Sequence, residues 1–273
     1  MDKSARKDLL TGTFMVGVLV AIFLTIISIG AKAQAEILAG DPVLAAAGDI
    51  GDCTSSNDEA TAALLADMPG ATVAALGDNA YPDGSAQDYQ NCYDPSWGLY
   101  KAQTRPTAGN HDYHTAGASG YFNYFGAAAG DPTKGYYSYD LGSWHVVVLN
   151  SNCTEIGGCS GKSPQVQWLK SDLSAHPSAC TLAYWHAPRF SSSQTGTPLA
   201  AFWNTLYKAK AEVVLNSHKH NYERFAEQTP GGVANPAGIR EFVVGTGGAS
   251  PCIPSKPPQR PTARCAMRAP SGC

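Results

Sequence analysis

Five times along this 273-residue chain an apolar, strand-like run stops at a cluster of polar side chains. In order the clusters are Gly48-Asp49-Ile50-Gly51-Asp52, Gly77-Asp78-Asn79-Ala80-Tyr81, Gly109-Asn110-His111-Asp112, Trp185-His186 and Ser217-His218-Lys219-His220. Stretches with helical patterning lie between several of these runs. Alternating strands and helices predict an α/β domain. In such sheets ligands gather beyond the carboxyl ends of the strands, so residues distant in sequence converge there. A hydrophobic fraction of 44% is enough for one sizeable core.

The elements can be placed from local signals. Val43 to Ala47 reads as a buried strand, and Ser56-Asn57-Asp58-Glu59 has capping-box form ahead of a helix that stops near Pro69-Gly70. Thr72 to Leu76 is the next strand. Tyr136–Asp140 and His145–Leu149 predict a hairpin around Leu141-Gly142-Ser143. Ser163-Pro164 opens a helix whose Val166, Leu169 and Leu173 share one face. A strand over Thr181–Trp185, a helix marked by Leu199, Phe202 and Leu206, and strands over Glu212–Leu215 and Ile239–Val244 complete the pattern.

The N-terminus reads as a targeting segment. Lys3, Arg6 and Lys7 precede an apolar run, and Ala31-Lys32-Ala33-Gln34-Ala35 has the small residues of a cleavage site. Residues 1–35 are therefore expected to be a signal peptide or signal anchor. Residues 36–249 form the expected folded domain, which is secreted, periplasmic or at the cell surface. Membrane contact is expected only through residues 9–30, if the leader is retained. All eight cysteines follow the leader, and export makes disulfides the default. Cys153 and Cys159 flank a glycine-rich loop and suit a local ring. Cys53 and Cys92 each follow a polar cluster and suit one rim. Residues 250–273 hold six prolines and four basic residues without apolar periodicity. That stretch reads either as a tethered tail or as an out-of-frame end. A formal net charge of -3 argues against a nucleic-acid partner.

Taken singly, the cluster residues have ordinary explanations. An aspartate at a strand end caps turns, a tyrosine packs, and a histidine after an apolar run is satisfied in the core. His218 and His220 are stronger, because residues i and i+2 of a strand point the same way, so both rings can face one point. The conjunction is stronger still: carboxylates, an amide, a phenol and imidazoles are the donors that hold hard and borderline metal ions. His114, His145 and His176 fit no such pattern and read as surface or packing residues.

This ordered series resembles the calcineurin-like metallophosphoesterases. Tyr81, three residues after Asp78, is similar to the purple acid phosphatase branch. The resemblance covers roughly Asp49 to Gly248. It implies a four-layer α/β/β/α sandwich with two mixed sheets, the odd tail standing where further strands are expected. It also implies a binuclear metal centre. Asp78 would bridge, Asp49, Tyr81 and His220 would complete a ferric site, and Asn110, His186 and His218 would complete a site for Fe(II), Zn(II) or Mn(II). The implied activity is an acid phosphatase-like hydrolysis of small phosphomonoesters by metal-bound hydroxide. His111 would serve the leaving oxygen and Asp112 would orient its ring. Arg224 would support the loop or contact phosphate. Phosphodiesterase or nucleotidase activity on the same fold, or a secreted protein that keeps the fold without turnover, are the alternatives. Two departures stand out. Ser217 replaces the usual glycine before His-x-His, where a Cβ strains a turn if φ is positive, and Lys219 sits where an acidic residue is common.

Overall fold

Strand β1 (Leu44–Ala47) pairs in parallel with β2 (Thr72–Ala75), and β2 with β3 (Thr104–Pro106), forming a three-stranded sheet. The computed structural model describes residues 42–177, 180–192 and 199–249, together with a two-residue strand at 263–264. The expected leader and the rest of the tail lie outside the described residues. Helix α1 (Asn57–Ala66) crosses over between β1 and β2, and α2 (Ser119–Phe125) follows β3. The hairpin β4 (Tyr137–Leu141) and β5 (Trp144–Val148) turns at Gly142-Ser143, one residue from its expected bounds. Then come α3 (Pro164–Ala175), β6 (Cys180–Tyr184), α4 (Ala200–Lys208), β7 (Val213–Asn216), β8 (Tyr222–Phe225), β9 (Arg240–Val244) and β10 (Ala263–Arg264).

The second sheet has seven strands in the order β10-β8-β9-β7-β6-β5-β4. It is mixed: β5, β6, β7 and β9 run parallel, while β4, β8 and β10 are antiparallel to their neighbours. The expectation of two mixed sheets holds for this one only. The small sheet is wholly parallel, because helical and loop crossovers join its strands. Residues 263–264, within the stretch read as a tethered tail or an out-of-frame end, contribute β10 at an edge.

The side-chain alternation of each strand builds the layers. Val73 and Ala75 of β2 face Ala62 and Leu65 of α1 and Tyr121, Phe122 and Phe125 of α2. Ala74 and Leu76 point the other way, against Val146, Val148, Tyr184 and Leu215 of the large sheet. On that sheet's far face Val147, Ala183, Val214 and Val243 meet Val166 and Leu169 of α3 and Phe202, Trp203 and Leu206 of α4. Three apolar layers between four structural layers give the α/β/β/α sandwich.

Local signals were realised unevenly. At α3, Ser163 Oγ accepts from the Val166 amide and Pro164 sits in the first turn. At α1 the expected capping box does not form, since the Ser56 side chain caps nothing, and the buried Asp58 accepts from Ser96 Oγ at 2.6 Å. The box forms at Ser85 and Asp88, which open one helical turn, Ala86–Asp88. The bonds Cys53–Cys92 and Cys153–Cys159 are both present. No helix among the described residues is long and apolar enough to cross a membrane.

Candidate metal centre

The centre is assembled from the ends of β1, β2, β3, β6 and β7. Each strand delivers one cluster to the same edge. Asp49 follows β1, Asp78 and Tyr81 follow β2, and Asn110 and His111 follow β3. His186 follows β6, and His218 and His220 follow β7. All seven expected donors come together.

They fall into two groups that meet at one carboxylate oxygen. In the first, Tyr81 Oη lies 2.9 Å from Asp49 Oδ1 and 3.0 Å from His220 Nε2, and His220 Nε2 lies 3.2 Å from Asp49 Oδ1. In the second, His186 Nε2 lies 3.1 Å from Asn110 Oδ1 and 3.1 Å from His218 Nδ1. Asp78 Oδ2 reaches both, at 3.3 Å from Tyr81 Oη and 3.1 Å from His186 Nε2. The other oxygen of each aspartate is held by backbone: Asp78 Oδ1 accepts from the His111 amide and Asp49 Oδ2 from the His218 amide, each at 2.7 Å. Asp49, Asp78 and His186 form a buried floor, with Tyr81, Asn110, His111, His218 and His220 half-buried at the rim.

The pair of histidines in His218-Lys219-His220 does not face one point. Both residues leave strand geometry, with φ of 72° and 41°, and their rings serve different groups. Asp49 and Asp78 are also left-handed, at 58° and 48°. Close backbone approach is needed at Gly109, where a Cβ would collide with Asp78, and at Gly245, where it would stand 2.6 Å from Asp49 Oδ2.

Ser217 brings no left-handed strain. It is buried, its Oγ donates to the Leu76 carbonyl at 2.6 Å, and it lies 2.9 Å from His186 Nδ1. His186 Nδ1 is also 3.0 Å from that carbonyl. Leu76 O can only accept, so Nδ1 carries a proton and Nε2 faces the other donors. The departure at Ser217 thus helps to fix this ring.

Electrostatics favour positive charge at this spot. Burial opposes a charged His186, but the nearby Asp78 carboxylate outweighs it and moves the imidazole up to about 9. Burial likewise opposes a charged Asp78, yet His186 and His111 hold it down to about 2. Burial, His186 and Lys219 push His218 down to about 4, keeping a neutral ring with a free lone pair. Burial and the Asp49 and Asp78 charges hold the Tyr81 phenol far above its usual value. Two carboxylates, a phenol, an amide and three imidazoles crowded this closely suit two cations, hard donors on one side and borderline donors on the other.

His111 stands at the rim with its ring 30% exposed. Its Nδ1 lies 2.6 Å from the Pro82 carbonyl and its Nε2 3.9 Å from Asp78 Oδ2. The ring lies beside those of Tyr81 and His114, tilted 50° to each, at centroid distances of 4.5 and 4.6 Å. Asp112 does not orient it, contrary to expectation. The Asp112 carboxylate is fully buried, accepting from Tyr89 Oη at 2.6 Å, the Gly109 amide at 2.8 Å and Asn79 Nδ2 at 3.1 Å. Burial, reinforced by the Asp78 charge, pushes it up to about 6 against those hydrogen bonds. Its work is to hold the loop that carries Asn110 and His111, while the Pro82 carbonyl orients the ring. Arg224 lies over the Phe242 ring at 5.8 Å instead of at the centre. Sequence reading missed Tyr89 and the Pro82 carbonyl, and it marked Ser217 only as a departure. Pro82 follows the marked Tyr81 directly, whereas Tyr89 adjoins no marked residue.

The family model described as Calcineurin-like phosphoesterase matches residues 42–222, more than half of the chain. The chain belongs to that family, in its purple acid phosphatase-like branch. Purple acid phosphatase 1 of Ipomoea batatas is 28% identical over 205 residues, covering 65% of this chain and 41% of the relative. Purple acid phosphatase 15 of Arabidopsis thaliana is 24% identical over 244 residues, covering 75% and 44%. The chain thus spans less than half the length of these relatives. Among solved structures, the purple acid phosphatase PPD1 from yellow lupin (Lupinus luteus) seeds superposes with a TM-score of 0.58 at 19% identity, covering 84% of this chain and 46% of that one. That likeness concerns the fold.

Proposed function

We propose that this chain is an exported phosphomonoesterase with a two-metal centre, ferric iron among Asp49, Asp78, Tyr81 and His220 and a divalent Fe, Zn or Mn among Asp78, Asn110, His186 and His218. The observation that carries this reading is the single oxygen, Asp78 Oδ2, lying within 3.3 Å of one donor group and 3.1 Å of the other. A structural role asks for no such convergence. Two ions held there would supply Lewis acidity to phosphoester oxygens and acidify a water.

The rest is the work of the chain's own residues. His186 presents Nε2 because Leu76 and Ser217 engage Nδ1. His111 has Nδ1 committed to the Pro82 carbonyl, so Nε2 is the atom that can carry a proton to a leaving oxygen at the rim. Asp112 and Tyr89 keep the loop of Asn110 and His111 in register. Export is supported by the leader-like N-terminus and by the two disulfides.

The test is metal content, visible colour and hydrolysis of a chromogenic phosphate monoester by the purified protein. Close to two ions per chain with hydrolysis at acidic to neutral pH is expected. A folded protein that stays metal-free and inactive when offered iron, zinc and manganese would overturn the reading.

A further inference from the structure

Among the described residues, two groups of side chains bring three metal-type donors within 4.8 Å of one another. One is Asp78, His186 and His218, within the centre above. The other is His145, Asp172 and His176. It lies at the opposite end of the parallel strands. His145 pairs in register with Thr181, and His186 lies five residues further along, roughly 16 Å at strand rise.

We propose that His145, Asp172 and His176 form a separate site for one Zn(II)-type divalent cation, backed by Asp140 and fastening the β4–β5 hairpin to the end of α3. The His145 ring is 1% exposed. Its Nε2 is 2.9 Å from Asp172 Oδ2 and its Nδ1 2.9 Å from Asp140 Oδ1. His176, just past the end of α3, places Nδ1 3.6 Å from Asp172 Oδ1. Tetrahedral zinc with bonds near 2 Å sets its ligand atoms about 3.3 Å apart, and the separations of the two rings from Asp172, each to a different carboxylate oxygen, bracket that value. Two imidazoles and a carboxylate form a borderline set that suits late first-row divalent ions.

The surroundings are arranged as around a ligating histidine. A carboxylate on the remote ring nitrogen, here Asp140 on Nδ1, holds the tautomer that frees Nε2. Ser138 Oγ donates to Asp172 Oδ1 at 2.8 Å and orients that carboxylate. His176 is 46% exposed and gives a path of entry. Its Nδ1 also lies 2.9 Å from the Asp172 carbonyl, so binding exchanges one hydrogen bond for a coordination bond.

The alternative is an imidazolium clamped between two carboxylates with no cation, and zinc counting separates the two. The full chain and its His176→Ala variant are dialysed to equilibrium against low-micromolar Zn(II) and their bound zinc is measured. The variant is expected to hold one equivalent less than the parent and to keep its phosphoester hydrolysis. The difference of one does not depend on how many ions the strand-end centre takes, so failure of the two-metal reading would look different. Equal zinc in parent and variant would overturn the proposal. Asp140→Asn, on a side chain 67% exposed, is the second variant. It should weaken this one equivalent about 10-fold or more, and unchanged affinity would contradict the backing role.

Discussion

Asp49, Asp78, His218 and His220 all carry their donors on left-handed backbone. Such conformations cost about 1–3 kcal/mol each and persist only where surroundings over-determine them. Here the hydrogen bonds from the His111 and His218 amides to the two aspartates do so. Donor identity was legible because it resides in the side chain. Backbone handedness was not, and that is why His218 and His220 were expected to face one point and instead serve different groups. Two predictions belong at this scale. Tyr81→Phe should abolish the visible band of an iron-loaded protein, and a coloured variant would remove Tyr81 from the ligand set. His111→Ala should lower kcat about 10²–10⁴-fold while leaving metal content unchanged. A drop in bound metal of the same size would make His111 structural instead.

Strands and helices emerged close to where their periodicity put them, since burial of alternate or i, i+3 positions is written in the sequence. The caps did not follow as well. Ser56 and Ser85 head similar signatures, yet only Ser85 forms its box: Ser85 keeps the extended backbone of an N-cap (φ -71°, ψ 162°), whereas Ser56 does not (φ -112°, ψ 21°). Asp58, near the start of α1, accepts from Ser96 on another element. That contact has a pH signature. Burial, with Glu59 adding, raises the Asp58 carboxyl from 3.8 to about 6 against the Ser96 hydrogen bond. The folded state then keeps a proton that the unfolded chain releases, so this stabilisation is present near pH 4 and lost as pH rises through about 6. Asp58→Asn retains an acceptor for Ser96 and removes the titration. Its melting temperature should fall less steeply than the parent's as pH rises through that range and lie above it beyond pH ~7. Parallel melting curves against pH would contradict the assignment.

Across the whole molecule, two sheets meet face to face with helices outside, and the candidate metal centre lies where strand ends from both sheets come together. The Cys53–Cys92 bond ties the loop after β1 to the segment after the Tyr81 turn, with a sequence separation of 39. Replacing both cysteines by serine should lower the unfolding free energy by about 3–4 kcal/mol in denaturant titration, as loop-closure entropy implies. An unchanged midpoint would show that the loop is held by packing alone. The sequence by itself determined the α/β class and the order of the main strands and helices, and it marked the seven candidate donors and the local Cys153–Cys159 ring, because each is a matter of local pattern or residue chemistry. Only the tertiary structure decided that Cys53 meets Cys92, that Ser217 holds His186, that Asp112 serves the loop instead of His111, and that His145 meets Asp172 and His176. Those outcomes depend on which strand ends lie side by side and which way each backbone turns. Neither is encoded within any single stretch of chain.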